Sequence, residues 1–247
     1  MTASRSINQR MSKIKPNERT FVALDTTDLE AAVDLAGRLQ GHVGGIKLGK
    51  EFFTALGPEG VRRITELGMP VFLDLKFHDI PNTVAGAVRA ALGLTPAIVN
   101  VHASGGAEMM QAAAAAAAEA GDSRPMLLGV TVLTSMHKAD MHAIGVTGEV
   151  LDQVLRLAML AQDSGLDGVV CSALEVEDIR EHLGNDFKLV VPGIRPDWAS
   201  KDDQKRIVTP SDAIKIGADY LVIGRPITGA DDPVAAADRI ADEIAGI

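Results

Sequence analysis

The chain has 247 residues, of which 47% are hydrophobic and 23% charged, a globular composition and a length that one α/β barrel fills. A formal net charge of −9 argues against a general nucleic-acid binder, because phosphate backbones require a basic surface, and no run approaches the roughly 18 apolar residues of a membrane span. The single cysteine, Cys171, excludes an intramolecular disulfide and a zinc–cysteine cluster, so we expect a reducing compartment, the cytoplasm.

The first twenty residues differ in charge from the rest of the chain. Five basic residues and one acidic residue give them a net charge of +4, which leaves −13 for the remainder. They contain no apolar segment of the kind that a secretory signal carries. We therefore expect residues 1–20 to form a basic, flexible leader and residues 21–247 to form one folded domain.

Eight short apolar runs follow from residue 21 onward. Most of them are nearly continuous in Val, Ile and Leu, which is typical of parallel strands buried on both faces. Their sequences are FVALD (21–25), GIKLG (45–49), VFLDLK (71–76), AIVNVHA (97–103), MLLGVTVLT (126–134), GVVCSA (168–173), LVVPGI (189–194) and YLVIGRPI (220–227).

The segments between these runs show helical patterns. Residues 28–39 begin with an Asp that can cap a helix, residues 150–161 repeat the pattern, and Pro210 and Pro233 open two later helices. Eight alternating β and α units predict a single-domain (β/α)8 TIM barrel. A doubly wound open sheet is the alternative, but no GxGxxG motif follows the first run, as a dinucleotide-binding sheet would require.

Polar side chains gather where the predicted strands end, which is where a barrel places its active site. A charge inside a buried strand is costly unless it is paired, so packing alone does not explain them. These residues are Asp25, Lys47, Asp74, Lys76, His78, Asp79, Asn100, His102, Thr134, Ser135, Arg195 and Arg225.

The third run carries the most specific pattern. Side chains alternate along a strand, so Asp74 and Lys76 point to the same side, and Lys47 on the neighbouring strand can lie beside them. With Asp79 just past the strand, two lysines and two aspartates can form one alternating set of charges. A lysine between carboxylates stays protonated, which favours proton donation over Schiff-base chemistry, since the latter needs the neutral amine.

Two other interpretations of this segment stay open. The charges can form a salt-bridge network at the barrel mouth that carries no chemistry. His78 and Asp79 can also suggest a metal site, but no further ligand follows at a suitable spacing, so we expect no metal.

The last two units suggest a phosphate site, since barrels bind phosphate with the loops after strands seven and eight. These loops contain PGIR (192–195) and GRPIT (224–228), in which glycine permits a close approach of the backbone to an anion and arginine offers a bidentate fork. Gln204, in the polar segment between them, can add an amide donor, and that segment can act as a lid. The alternative is that Arg195 and Arg225 pair with surface acids. Together with the charges of the third run, the pattern predicts a phosphorylated small-molecule substrate.

The segment DLKFHDIPNT (74–83) closely resembles the signature of the orotidine 5′-phosphate decarboxylase family. Further similarities to the bacterial form follow in the same order and extend over roughly residues 20–245. They are FVALD (21–25), IKLG (46–49), VNVHASGG (99–106), TVLTS (131–135), PGIR (192–195) and GADYLVIGRPIT (217–228). The DxKxxD pattern alone is shared with sugar-phosphate enzymes of the same superfamily, so the continuation IPNT and the late GRPIT make the resemblance specific.

This resemblance implies a decarboxylation of orotidine 5′-monophosphate to uridine 5′-monophosphate in pyrimidine biosynthesis, without cofactor or metal. It implies that Lys76 protonates C6, and that Lys47, Asp74 and Asp79 complete the catalytic charges. It also implies a homodimer in which Asp79 and Thr83 reach the site of the neighbouring subunit. The implied substrate contacts are Asp25 and Lys47 for the ribose, Ile80 and Pro192 for the apolar side of the base, Thr134 and Ser135 for the base and its surroundings, and Arg195, Gln204, Gly224 and Arg225 for the phosphate.

Two other functions compete with this interpretation. One is a metal-assisted sugar-phosphate decarboxylase or aldolase of the same superfamily. The other is a barrel that binds a nucleotide phosphate as a sensor and catalyses nothing.

Overall fold

Eight parallel strands close into a barrel in the computed structural model, which describes residues 14–199 and 208–247. The strands follow one another around the barrel in chain order, and the last pairs with the first. The strands are β1 (Thr20–Leu24), β2 (Gly45–Leu48), β3 (Val71–Phe77), β4 (Ile98–His102), β5 (Met126–Val130), β6 (Gly168–Val170), β7 (Lys188–Pro192) and β8 (Tyr220–Ile223). The predicted (β/α)8 TIM barrel is confirmed, and the open sheet is wrong.

Helices connect the strands on the outside of the barrel. They are α1 (Leu29–Arg38), α2 (Lys50–Thr65), α3 (Pro81–Leu92), α4 (Ala107–Ala118), α5 (Lys138–Ala143), α6 (Val150–Asp163), α7 (Val176–Leu183), α8 (Pro210–Lys215), α9 (Arg225–Thr228) and α10 (Pro233–Ala245). The Asp28 side chain caps α1 by accepting a hydrogen bond from the amide of Ala31 at 3.1 Å, as the sequence predicts.

The strands begin within one residue of the predicted positions, but most of them end before the predicted run does, and β5 is the case that matters for the site. The fifth apolar run extends to residue 134, whereas β5 ends at Val130. The amide and hydroxyl of Thr131 both donate to the carbonyl of Val170, at 3.4 and 3.1 Å, and the chain then leaves the sheet. Thr134 and Ser135 therefore lie in the exposed segment that follows the strand.

The start of the folded chain lies before the predicted boundary at residue 20. A turn of 3₁₀ helix spans Asn17–Arg19, and β1 begins at Thr20. Arg19 is 4% exposed, and its guanidinium donates to the carbonyl of Asp219 at 3.2 Å, which ties this segment to β8. Residues 1–13 of the predicted leader lie outside the described residues.

The core has two layers, because successive residues of a strand face opposite sides of the sheet. The outer layer packs the strands against the helices. The inner layer fills the barrel with Phe21, Ala23, Phe72, Ile98, Leu128, Val190 and Val222. This inner layer forms a floor beneath the mouth of the barrel. In the part of the chain that the structure describes, no helix is long and apolar enough to cross a membrane.

The inner layer predicts a measurable stability effect for Leu128, which is fully buried inside the barrel. Leu128→Ala leaves a cavity that the closed sheet cannot collapse into, so we expect a loss of about 2–5 kcal/mol in the free energy of unfolding, measured by urea titration. Met159→Ala on α6 is the control, because Met159 is 39% exposed, and we expect it to cost under about 1 kcal/mol. Equal losses in the two variants would contradict the two-layer description.

Candidate active site

A cavity of about 380 Å³ opens at the carboxyl ends of the strands. It contains most of the charged residues that the sequence places at strand ends, and apolar side chains of the inner layer form its base. Its lining is Ala23, Asp25, Lys47, Phe72, Asp74, Lys76, Val130, Val132, Leu133, Thr134, Val170, Cys171, Pro192, Gly193, Ile194, Arg195, Val222, Gly224, Arg225 and Pro226.

Four of these side chains form a lysine–aspartate array (Asp25, Lys47, Asp74 and Lys76). The Nζ atom of Lys76 lies 2.5 Å from Oδ1 of Asp74, and Nζ of Lys47 lies 3.6 Å from Oδ2 of the same carboxylate. Nζ of Lys47 also lies 3.3 Å from Oδ1 of Asp25. The charges alternate in sign, and Lys47 and Asp74 are each 9% exposed. Each of these two buried charges therefore has an opposite charge beside it.

The end of β3 departs from regular strand geometry where it carries the array. The backbone of Lys76 has a φ of +54°, a left-handed conformation that costs about 1–3 kcal/mol in a residue other than glycine. The pairing of β3 with β4 also shifts register between Leu73 and Phe77. Simple alternation predicts that Asp74 and Lys76 share a side, and they do, but the irregular backbone means that alternation alone does not place them.

Asn100 of β4 contacts both residues. Its Nδ2 donates to Oδ1 of Asp74 at 2.6 Å, and its Oδ1 accepts the amide of Lys76 at 2.8 Å. The side chain is fully buried and does not line the cavity. An asparagine within the apolar run AIVNVHA (97–103) is the sequence signal for this residue, which marks Asn100 as a polar residue at a strand end but gives it no role.

Asp74 is the anion that both lysines share. Burial raises the pKa of its carboxyl, but the charges of Lys76 and Lys47, with hydrogen bonds from Lys76 and Asn100, outweigh burial and hold the pKa below its ordinary value. Asp74 is therefore ionised at neutral pH, as the array requires.

Glycine leaves room beside the array at Gly49. A Cβ atom at this position would lie 3.0 Å from Nζ of Lys47 and 3.5 Å from Oδ1 of Asp25. A larger side chain would therefore crowd the ammonium of Lys47. The first residue after β2 thus contributes to the site by its small size.

The loops after β7 and β8 bring the two predicted arginines to the same cavity. Gly193 turns the first loop with a φ of +76°, which favours glycine. Arg195 is 7% exposed, and its amide donates to the carbonyl of Val208 at 3.2 Å, whereas the side chain of Arg225 is exposed. Gln204 lies outside the described residues.

Three predicted residues lie away from the cavity of their own chain. Asp79, Ile80 and Thr83 are exposed on the loop after β3 and the first turn of α3. Oδ1 of Asp79 accepts the amide of Ile80 at 2.7 Å, and the Ile80 side chain is 67% exposed. Asp25 thus occupies, within the chain, the place in the array that the sequence analysis gave to Asp79.

The predicted contacts from the segment after β5 divide into two. Thr134 lines the cavity, whereas Ser135, one residue further along, does not. Both side chains are exposed. The early end of β5 explains this, because a segment that has left the sheet no longer directs alternate side chains into the barrel.

Two histidines lie at the rim, next to the array. The ring centroids of His78 and His102 are 5.4 Å apart. Burial, and then the positive charges of His78, Lys50 and Lys76, lower the pKa of His102 to about 4, so its imidazole is neutral. Within the described residues, no group of three or more His, Cys, Asp or Glu side chains is placed to hold a metal ion.

The wall formed by the end of β6 contains a thiol and a carboxyl. Cys171 lines the cavity and is 1% exposed, and burial followed by the charge of Glu175 raises the pKa of the thiol, which stays neutral. Oε2 of Glu175 accepts the amide of Ser172 at 2.9 Å and so fixes the turn after the strand. Burial raises the pKa of the Glu175 carboxyl to about 7, although this hydrogen bond opposes the shift.

Fold and cavity together define a class of protein: a (β/α)8-barrel enzyme with a lysine–aspartate array and two arginines in one cavity, suited to an anionic small molecule. Residues 18–240 match the family described as Orotidine 5'-phosphate decarboxylase / HUMPS family. The chain belongs to this family.

Similar proteins cover nearly the whole chain. Orotidine 5'-phosphate decarboxylase of Rhodospirillum rubrum is 59% identical over 231 residues, which are 92% of this chain and 94% of that protein. The protein of the same name from Paramagnetospirillum magneticum is 56% identical over 228 residues, 91% of this chain and 97% of that protein. The crystal structure of orotidine 5'-phosphate decarboxylase from Lactobacillus acidophilus matches with a TM-score of 0.82 at 38% identity and covers 91% of this chain and 98% of that chain.

The raised pKa of Glu175 predicts how stability depends on pH. The folded chain holds this proton up to about pH 7, whereas the unfolded chain releases it near the ordinary value of 4.5, so the free energy of unfolding falls as pH rises across that range. Glu175→Gln keeps the shape and the acceptor oxygen but cannot ionise. We expect the variant to gain roughly 1–3 kcal/mol relative to wild type between these pH values, measured by urea unfolding. A constant difference over that range would contradict the assignment.

Proposed function

We propose that this chain decarboxylates orotidine 5′-monophosphate to uridine 5′-monophosphate in pyrimidine biosynthesis, in the cytoplasm and without a metal or organic cofactor. The observation that carries the proposal is the lysine–aspartate array, with Lys47 and Asp74 buried at its centre, beside two arginines in one cavity. The family and the names of the similar proteins support the substrate.

The substrate binds with its phosphate at the loops after β7 and β8. Arg195 and Arg225 offer bidentate donors to the phosphate oxygens, and Gly224 lets the backbone approach them, with Gln204 adding an amide. Asp25 and Lys47 bind the ribose hydroxyls. The base lies between these groups, with Pro192 on its apolar side and Thr134 at its edge. Phosphate binding far from the reacting carbon fixes C6 next to Lys76.

Decarboxylation breaks the bond between C6 and the carboxylate carbon, and the electron pair stays on C6 while carbon dioxide leaves. The resulting carbanion has no ring position that accepts the pair, so it needs a positive charge nearby. The ammonium of Lys76, held at 2.5 Å by Asp74, supplies that charge without reorganisation at the moment of reaction. Lys76 then gives a proton to C6, which yields the product, and water reprotonates the amine.

Asp74 has two effects in this scheme. It keeps Lys76 in place, and it places a negative charge beside the carboxylate that leaves. Because the pKa of Asp74 lies below its ordinary value, this carboxylate already carries its negative charge at neutral pH before substrate binds. Departure of carbon dioxide removes the like charge next to it.

The functional unit is a homodimer in which Asp79 and Thr83 of one subunit reach the site of the other. Both residues are exposed and lie away from the cavity of their own chain, which supports this assignment. Ile80 beside them exposes 67% of its surface, and a second subunit would cover this apolar side chain. In this arrangement Ile80 can contact the apolar side of the pyrimidine base that is bound in the site of the other subunit.

The catalytic role of Lys76 predicts that Lys76→Ala lowers kcat at least about 10³-fold, because both the stabilising charge and the proton donor are lost. The loss of orotidine absorbance in the ultraviolet measures the rate. Lys215→Ala, at an exposed lysine of α8, is the control and should keep wild-type activity. The Lys76 variant should still bind uridine 5′-monophosphate in calorimetry.

The same assay separates the competing functions. Wild type should react equally fast with and without excess EDTA, whereas a strong loss on chelation would favour a metal-assisted enzyme of the superfamily. Binding of uridine 5′-monophosphate by wild type without any change in orotidine absorbance would favour the sensor. Near-normal activity of Lys76→Ala would refute the proton-donor role.

The shared site predicts that two inactive variants complement each other. In a heterodimer of Lys76→Ala and Asp79→Ala chains, one of the two sites has both residues intact, so an equal mixture of the chains should recover about a quarter of wild-type activity. Coexpression with two affinity tags and the absorbance assay measure this.

A matched pair tests the geometry. Lys76→Ala with Asp74→Asn should show no recovery, because both residues belong to the same chain's site and every mixed site lacks one of them. Recovery in this control, or its absence in the first mixture, would contradict the shared site.

A further inference from the structure

Asn100 occupies a gap in the pairing of β3 with β4. Leu73 pairs with Val99 and Phe77 pairs with Val101, so three residues of β3 lie opposite a single residue of β4. The regular ladder therefore does not run through residues 74–76. The amide side chain of Asn100 lies opposite these three residues and bonds to the first and the last of them.

We infer that Asn100 is a positioning residue for the proposed decarboxylation, which fixes the orientation of the Asp74 carboxylate and the backbone of Lys76 at the same time. The inference rests on the proposed function and adds a residue to it. Asn100 does not line the cavity, so it acts through these two residues and not on the substrate.

Asn100 limits how the Asp74 carboxylate can be oriented. Nδ2 of Asn100, at 2.6 Å, and Nζ of Lys76, at 2.5 Å, both donate to Oδ1 of its carboxylate, which leaves Oδ2 turned towards Lys47 at 3.6 Å. Two donors on one oxygen prevent the carboxylate from rotating. Without Asn100, Lys76 and Lys47 would be the remaining donors, and either oxygen could face either lysine.

Asn100 also holds the backbone of Lys76. Its amide donates to Oδ1 of Asn100 at 2.8 Å, in a segment where β4 offers no regular ladder partner. A buried amide without a partner is unfavourable, so this bond stabilises the left-handed backbone that directs the ammonium to Asp74. One side chain thus holds both ends of the Asp74–Lys76 pair.

The surroundings of Asn100 are charged on one side and apolar on the other. Asp74 and Lys76 face it from β3, Lys47 of β2 lies on the far side of the carboxylate, and His102 follows two residues later on β4 with His78 against its ring. The residue that pairs with Asn100 on β5 is Leu128, which is apolar and fully buried.

Two substitutions test the inference. Asn100→Leu has a similar size and removes both hydrogen bonds, so we expect kcat for orotidine 5′-monophosphate to fall at least about 30-fold while KM changes less than about threefold, since substrate contacts are intact. Val101→Ala is the matched control on the same strand, because Val101 is fully buried in the outer layer. It should lower stability and leave kcat within about twofold.

Asn100→Asp separates positioning from packing by its pH profile. At 2.6 Å from Asp74 a second carboxylate is disfavoured, which raises the pKa of the introduced acid, and its protonated form donates to Asp74 as Nδ2 does. We therefore expect the ratio of its kcat to that of wild type to rise as pH falls from about 8 to about 5, where the acid regains its proton. A ratio that is constant over this range would overturn the donor role.

The outcomes are distinct. If folded Asn100→Leu, checked by circular dichroism, keeps kcat within about threefold of wild type or loses no more than Val101→Ala does, the inference is overturned. If Asn100→Leu does not fold, the pH profile of Asn100→Asp decides alone. If wild type itself does not decarboxylate orotidine 5′-monophosphate, the proposed function fails, which is a different result from an active wild type with an active Asn100→Leu variant.

Discussion

One carboxylate, that of Asp74, is the interaction on which the site depends. It lies between two ammonium groups and accepts an amide hydrogen bond, and it is almost inaccessible to solvent. A buried carboxylate alone would be neutral, and a buried lysine alone would be costly. Each of these charges is stable only because the others are present, so the array exists as a unit. The proposed chemistry uses this property, since a fixed positive charge beside the reacting carbon is already in place when substrate binds.

The closed barrel explains how distant parts of the chain meet in that array. Asp25 directly follows β1, whereas Lys47 belongs to β2 and Asp74 to β3. The carboxyl ends of these three neighbouring parallel strands lie on the same rim. The apolar layer inside the barrel supports the rim from below and excludes water from that side of the array. The two arginines follow β7 and β8, and β8 pairs with β1 where the sheet closes. Closure of the sheet thus places the proposed phosphate-binding arginines beside the lysine–aspartate array.

Much of this is predictable from the sequence, for identifiable physical reasons. Parallel strands buried on both faces are continuous apolar runs, so the eight strands begin within one residue of the predicted positions. The charged residues at strand ends are conspicuous because they interrupt those runs. The sequence does not show where a strand ends when apolar residues continue past it, which is why Thr134 and Ser135 were placed at the end of β5. It also does not show that Arg19 belongs to the fold, since the hydrogen bond that buries Arg19 is with a residue 200 positions away. The register shift that gives Asn100 its two partners depends on the pairing of two strands and is invisible in either strand alone.

The unequal pairing of β3 and β4 has a consequence for how such sites can vary between related proteins. Three residues lie opposite one, so the number of residues between Leu73 and Phe77 specifies the site as much as their identity does. Removing one of them would change how Asp74 and Lys76 lie relative to each other and to Asn100, because the irregular backbone of this segment sets their positions. A length change here is therefore more damaging than most substitutions, and a related barrel that keeps both charged residues but differs in spacing would not form the same ion pair. The number of residues at the end of β3 is thus a requirement of the site in its own right, in addition to the identity of its side chains.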